Sequence, residues 1–435
     1  MLMLHEARSG IYTDLHPAIM AATIRCMFHI FPDERSGLGC LFIIENLFFW
    51  TGLLLVLLSG RRFWENKNQK TIWMLAVPLI LLFVIWVDII ILTTRFLSKD
   101  FFQLACLLLA TGLLLNLPHK FFWRLLVGAF ILFLLFYGTA LRHNLVLALL
   151  PMLYWLSLTI MPSKKIIALL SAFFLWIAFF LTSHVVTYHI LQAHHLYPLS
   201  ERFYADIFVL NYFGKYYENP PNGFLNTFDD IDEEFFRKNY LYQYMYIPHA
   251  FRIIAADKGR PFSLVKEGEP ILTHETIHTE ERRHGLTISE IEDFAGDYVV
   301  LRNVWIRRIV QEPFTYVSIR AYLVFRFFFV CTPPAFLFIT GGFLNGVSIL
   351  IMSMMILILH FKQRHTSPYV ILSLCVLLNG LPLFIFLPAD GPGNIRYLYW
   401  FYAAAFIAIV QFCSQSKVFQ DVVASIHQYL ERQVP

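Results

Sequence analysis

An acid and a histidine stand two residues apart in Gly10-Ile11-Tyr12-Thr13-Asp14-Leu15-His16-Pro17, just ahead of an amphipathic run. A carboxylate within hydrogen-bond reach can take the proton of an attacking hydroxyl or amine, which makes Asp14 a candidate general base with His16 beside it. The same aspartate also suits an N-cap ahead of Pro17, and that reading stays open. Two further polar clusters border apolar runs. Arg142-His143-Asn144 follows Gly138-Thr139-Ala140-Leu141, and Arg396-Tyr397 follows Asp390-Gly391-Pro392-Gly393-Asn394. Arginines at such ends can be snorkelling anchors, but guanidinium is also a planar fork that matches phosphate oxygens. His274-Glu275-Thr276-Ile277-His278 matches HExxH, in which two histidines one helical turn apart hold zinc and the glutamate acts as base. Its flanks give little apolar support for a buried helix, and a segment rich in His and Glu can reach this match by composition.

The elements that must position these residues are set by hydrophobicity. In 435 residues, 58% are hydrophobic, 15% are charged and the mean hydropathy is +0.59. A soluble domain would carry about 25% charged residues, so the chain reads as an all-α polytopic membrane protein. The net charge of +4 sits largely at the ends of apolar runs, and nucleic acid is not an expected partner. None of the six cysteines lies in the long polar segment and none forms a CxxC pair, which argues against a disulfide scaffold or a cysteine zinc site.

Runs long enough to cross about 30 Å of hydrocarbon fall near 38–58, 71–92, 101–117, 121–138, 144–161, 166–186, 320–340, 343–361, 367–388 and 397–413. These ten candidate spans divide the chain into an outer segment 1–37 with an interfacial helix, six spans over 38–186, an outer loop or lid over 187–319, about four spans over 320–413, and a polar tail over 414–435. In the first segment Met20, Ile24, Met27, Phe28 and Phe31 share one helical face, with Arg25 and His29 elsewhere on the wheel. Arg61, Arg62, Lys67 and Lys70, then Lys120 and Arg124, then Lys164 and Lys165, occupy alternate connections, which the positive-inside rule assigns to the cytoplasm. Lys362, Arg364 and His365 break that alternation. His184, His189, His194 and His195, at the end of the sixth run, read as interfacial residues.

Ionisable residues within the spans are functional candidates when buried. Glu45 lies in the first visible span, where it can line a groove for a lipid chain or make a polar contact between helices. Asp88, in the second, has Arg95 seven residues on as a candidate ion-pair partner.

The string Gly-Ile-Tyr-Thr-Asp-Leu-His-Pro-Ala-Ile-Met-Ala (10–21) resembles the first outer loop of bacterial C-type (GT-C) membrane glycosyltransferases, which take a sugar from a polyprenyl-phosphate carrier. Leu141 to Asn144 with Leu149-Leu150-Pro151, the segment from Trp305 to Pro313 with Tyr316 and Arg320, and Arg396 to Tyr399 resemble further stretches of such proteins. The resemblance implies a GT-C-like fold in the bacterial inner membrane and a polyprenyl-phosphate-linked sugar as donor. The acceptor would be a lipid, glycan or protein on the outer side. It implies Asp14 and His16 as catalytic residues, and Arg142, His143, Asn144, Arg320, Arg396 and Tyr397 as the donor-phosphate set. A divalent metal could share the charge stabilisation. Members of the family carry a helix and an acidic residue ahead of this loop, so the sequence reads as an N-terminally shortened member whose first acid would fall at or before Met1. Two other classes remain as alternatives: a non-catalytic flippase or accessory protein for lipid-linked sugars, and a membrane-anchored zinc metalloprotease using His274, Glu275 and His278.

Overall fold

The computed structural model describes residues 2–12, 18–60, 97–141, 145–194, most of 302–330, 346–360, 367–386, 398–417 and parts of 420–428. Every regular element among them is a helix: α1 (Leu2–Ser9), α2 (Ala18–Ile30), α3 (Glu34–Ser59), α4 (Lys99–Leu115), α5 (Phe121–Ala140), α6 (Val146–Ile160), α7 (Lys165–His184), α8 (Pro313–Val330), α9 (Gly346–His360), α10 (Pro368–Phe386) and α11 (Tyr399–Gln415). Among the described residues, three continuous helices are long and apolar enough to cross a membrane: Glu34–Ser59, Phe121–Ala140 and Lys165–Ile190. The expected run 71–92 lies outside the described residues.

The pattern of exposure explains the hydropathy. On α3, Leu41, Glu45, Phe49, Gly52 and Val56 point inward, while Ile43, Leu47, Trp50 and Leu54 are exposed on the other side. A helix with apolar residues on both its packed and its exposed faces suits lipid and not water. Helices α4 and α11 are buried nearly all round and form the middle of one continuous core. α3 and α4 run in the same direction at very close range. A Cβ built on Gly52 would lie 2.6 Å from the Leu109 nitrogen, and one on Gly112 would lie 2.8 Å from the Gly52 carbonyl oxygen. Glycines permit this backbone contact, as small residues do between membrane helices.

Three boundaries differ from the sequence expectation. Leu2–Ser9, in the outer segment ahead of its one expected helix, form helix α1, closed where Gly10 takes a φ of +76° and its N–H reaches the Glu6 carbonyl at 2.8 Å. A residue without a Cβ adopts that conformation at no steric cost. The helix expected to stop near 186 continues as a π-helical segment, Val185–Ile190, which ends where Gln192 has a φ of 50°. Helix α8 begins at Pro313 and not near 320, because proline is well suited to a first helical turn, where its missing N–H is not needed.

The amphipathic helix appears as α2, and its expected apolar face is the packed one. Met20 and Ile24 are buried, with Met27 and Phe28 partly covered. That face meets α1 and α3, and α2 also touches the π segment, so the helix is part of the protein body. At the far end of the bundle Arg124 donates to the carbonyls of Pro118, His119 and Thr159, and Lys164 and Lys165 are exposed.

Candidate functional site

The described residues build one polar corner where α2 meets the ends of α5 and α7. Tyr137, near the end of α5, donates its hydroxyl proton to Thr23 Oγ1 at 3.0 Å, and Thr23 donates in turn to the Ile19 carbonyl at 2.7 Å. This ties the helix that follows Asp14-Leu15-His16 to the helix end that precedes Arg142-His143-Asn144. On the other side of α2, the His194 N–H donates to the Tyr12 carbonyl at 2.8 Å. Tyr12 packs with Ala18, Ala21 and Ala193, so both flanks of the acid–histidine stretch are fixed, as is the start of the long polar segment.

Charges at this corner are enclosed. Glu6 is buried, and a Cβ on Gly10 would collide with the Arg25 guanidinium, whose Nη1 is buried and makes no hydrogen bond. Burial pushes the Tyr12 phenol above its ordinary pKa; the Arg25 charge opposes that shift and Glu6 adds to it. Tyr12 is therefore a neutral phenol at neutral pH. Arg25 was expected only on the polar side of the wheel. Nothing in the sequence marks this pairing, in which Gly10 leaves the space that the guanidinium fills.

Glu45 is completely buried between helices. It accepts from the Ser98 N–H at 3.4 Å at the start of α4, while its second carboxylate oxygen is enclosed without a hydrogen bond. Phe102, one turn into α4 from Ser98, meets the Tyr137 ring edge to face at 5.3 Å. The described contact of Glu45 is thus one between helices, close to the corner. Its value could not be read from sequence, because Ser98 and Tyr137 belong to other elements.

Arg320 is buried in α8, with its guanidinium carbon 5.7 Å from the Tyr316 ring centre. Tyr316 also meets Trp305 edge to face, which draws together the 305–320 stretch singled out in the sequence. Helix α8 packs on α9 and α10, whereas the polar corner is built from α2, α4, α5 and the π segment. Asp14, His16, Asp88, Arg142, His143, Asn144, Arg396 and Tyr397 lie outside the described residues, as do His274, Glu275 and His278. Among the described residues, no group of three or more His, Cys, Asp or Glu side chains converges as a metal site.

The corner thus joins a neutral phenol, a threonine–tyrosine relay, a buried carboxylate and an enclosed guanidinium at one end of an apolar bundle. No protein-family model matches the chain, and no match is found among curated proteins or solved structures.

Proposed function

We propose that the chain is a multi-pass membrane glycosyltransferase of the GT-C type, with about ten spans in a bacterial inner membrane. It moves a sugar from a polyprenyl-phosphate carrier to a lipid, glycan or protein on the outer side. One observation carries this reading: the Tyr137–Thr23 hydrogen bond holds together the described flanks of the acid–histidine stretch and of Arg142-His143-Asn144. A base and a phosphate ligand must meet across the anomeric carbon, so the two motifs need a common end of the bundle.

In the proposed reaction the acceptor's hydroxyl or amine attacks the anomeric carbon as Asp14 takes its proton, with His16 beside it. The bond to the carrier phosphate breaks, and the negative charge on the departing phosphate is stabilised by Arg142, His143, Asn144, Arg396 and Tyr397. Arg320, carried by α8 beside Tyr316, is a further candidate for that charge. The opposite end, with Arg124, Lys164 and Lys165, faces the cytoplasm under the positive-inside rule.

The test uses the full chain in proteoliposomes with a polyprenyl-phosphate sugar labelled in the sugar and a bacterial envelope extract as the source of acceptor. The wild-type protein consumes the donor and releases polyprenyl phosphate, and the Asp14→Asn/Arg142→Ala protein does not. Full transfer by that double variant would remove the site assignment. Movement of intact donor across the bilayer without consumption would replace the transferase reading with a flippase.

A further inference from the structure

The π-helical segment creates a neighbour pair that α-helical spacing would not. His184 and His189 are five residues apart, which in an α-helix separates them by about 140° around the axis. Here the backbone hydrogen-bonds with the wider i→i+5 turn: the Leu191 N–H reaches the Val186 carbonyl at 2.9 Å. The wider turn returns His189 to the side of His184, and their ring centres are 6.1 Å apart at an interplanar angle of 47°. Both imidazoles are exposed. The Tyr188 ring stands edge-on to His184 at 4.8 Å and limits how that ring can turn. π-helical turns inside longer helices are uncommon and recur at functional sites.

We propose that His184 and His189 form a two-imidazole site for a divalent transition-metal ion. A metal–nitrogen bond of about 2.1 Å plus about 1.2 Å from nitrogen to ring centre gives an arm of roughly 3.3 Å for each ligand, so one ion spans ring centres from about 4.7 Å apart with the two bonds at right angles to about 6.6 Å with them collinear. The observed 6.1 Å falls inside that reach. Imidazole nitrogen selects copper, nickel or zinc, with Cu2+ bound most tightly, whereas Mg2+ and Ca2+ prefer oxygen ligands. Water fills the remaining positions, since no third His, Cys, Asp or Glu joins the pair among the described residues. The bound ion would fix the π turn, and with it the segment that contacts α2 and leads to the Tyr12–His194 hydrogen bond. The site does not depend on the glycosyltransferase reading.

The test uses the full chain in detergent, purified through a tag without histidine, and titrated with Cu2+ while electron paramagnetic resonance records the ligand nitrogens. Wild-type protein should bind one tight equivalent with coupling from two imidazoles. His184→Ala and His189→Ala should each weaken binding by roughly tenfold or more, with thermal midpoints of the metal-free proteins unchanged because both side chains are exposed. Unchanged affinity and nitrogen coupling in both variants would overturn the proposal. So would loss of the tight equivalent in a His274→Ala/His278→Ala protein alone, which would assign the ion to the HExxH stretch.

Discussion

Tyr137 and Thr23 are 114 residues apart in sequence, and their hydrogen bond is the one direct polar link described between α2 and α5. An internal hydrogen bond of this kind contributes about 1 kcal/mol net. In a double-mutant cycle, Tyr137→Phe and Thr23→Val should therefore show a coupling of about 0.5–1.5 kcal/mol in thermal or chemical unfolding, and additive effects would mean the bond contributes nothing. A second residue-scale effect lies at Asp33, the N-cap of α3. Its carboxylate accepts from the Ser36 hydroxyl at 2.7 Å and the Ser36 N–H at 2.8 Å, and these bonds hold its pKa below the ordinary aspartate value. A carboxyl depressed in the folded state stabilises the fold above its unfolded pKa of about 4 and loses that contribution as pH falls through the lower folded value. Asp33→Ala should lower the melting midpoint at pH 7, and the difference from wild type should shrink toward pH 3. A gap independent of pH would assign the effect to packing.

At the scale of elements, the closest contact is between α3 and α4. Gly52 faces the backbone of Leu108 and Leu109 at distances no flexible side chain can relieve, and Gly112 faces the Gly52 carbonyl in return. Gly52→Val must push the two helices apart, at a cost of about 1–3 kcal/mol or more. The same separation would disturb the Asn116 bond to the Leu55 carbonyl, now 2.7 Å, and the Ser98 bond to Glu45. The variant should unfold at lower temperature in detergent and lose any transferase activity with it. Gly39→Val, on the same helix with nothing within 4 Å of its Cβ, is the matched control and should behave as wild type.

For the whole molecule, the question is which end faces which compartment. The helix Lys165–Ile190 is 26 residues long, so at about 1.5 Å per residue it covers about 39 Å, more than the roughly 30 Å of hydrocarbon. That length is enough to cross, and a spanning helix would expose its two ends on opposite sides. In a cysteine-free background, single cysteines placed at Lys165 and at His189 should differ in intact cells. A membrane-impermeant maleimide should label the second and reach the first only after permeabilisation. Labelling of both from outside would end the reading of this helix as a span, and a reversed pattern would invert the topology and move the polar corner to the cytoplasm.

Much of this architecture was legible in the sequence because the signals are local. Apolar runs near 101–117, 121–138, 144–161 and 397–413 correspond to α4, α5, α6 and α11 within a few residues, since a segment in an apolar medium must satisfy its own backbone hydrogen bonds and does so as a helix. The apolar face of α2 was likewise readable from its spacing. Side-chain partnerships were not. Glu45 could be named but its contact with Ser98 could not, and Arg25 gave no sign that it folds over Gly10. Nothing in the sequence linked the helix that follows the acid–histidine stretch to the helix that precedes Arg142, and the hydrogen bond between those two helices is a tertiary finding. Sequence alone determined that this chain is helical, apolar and polar at particular ends, because hydropathy and turn residues act over a few neighbours. Only the tertiary structure decided that Tyr137 meets Thr23 and that a π turn brings His184 to His189, because both depend on how helices pack and on a local change of register.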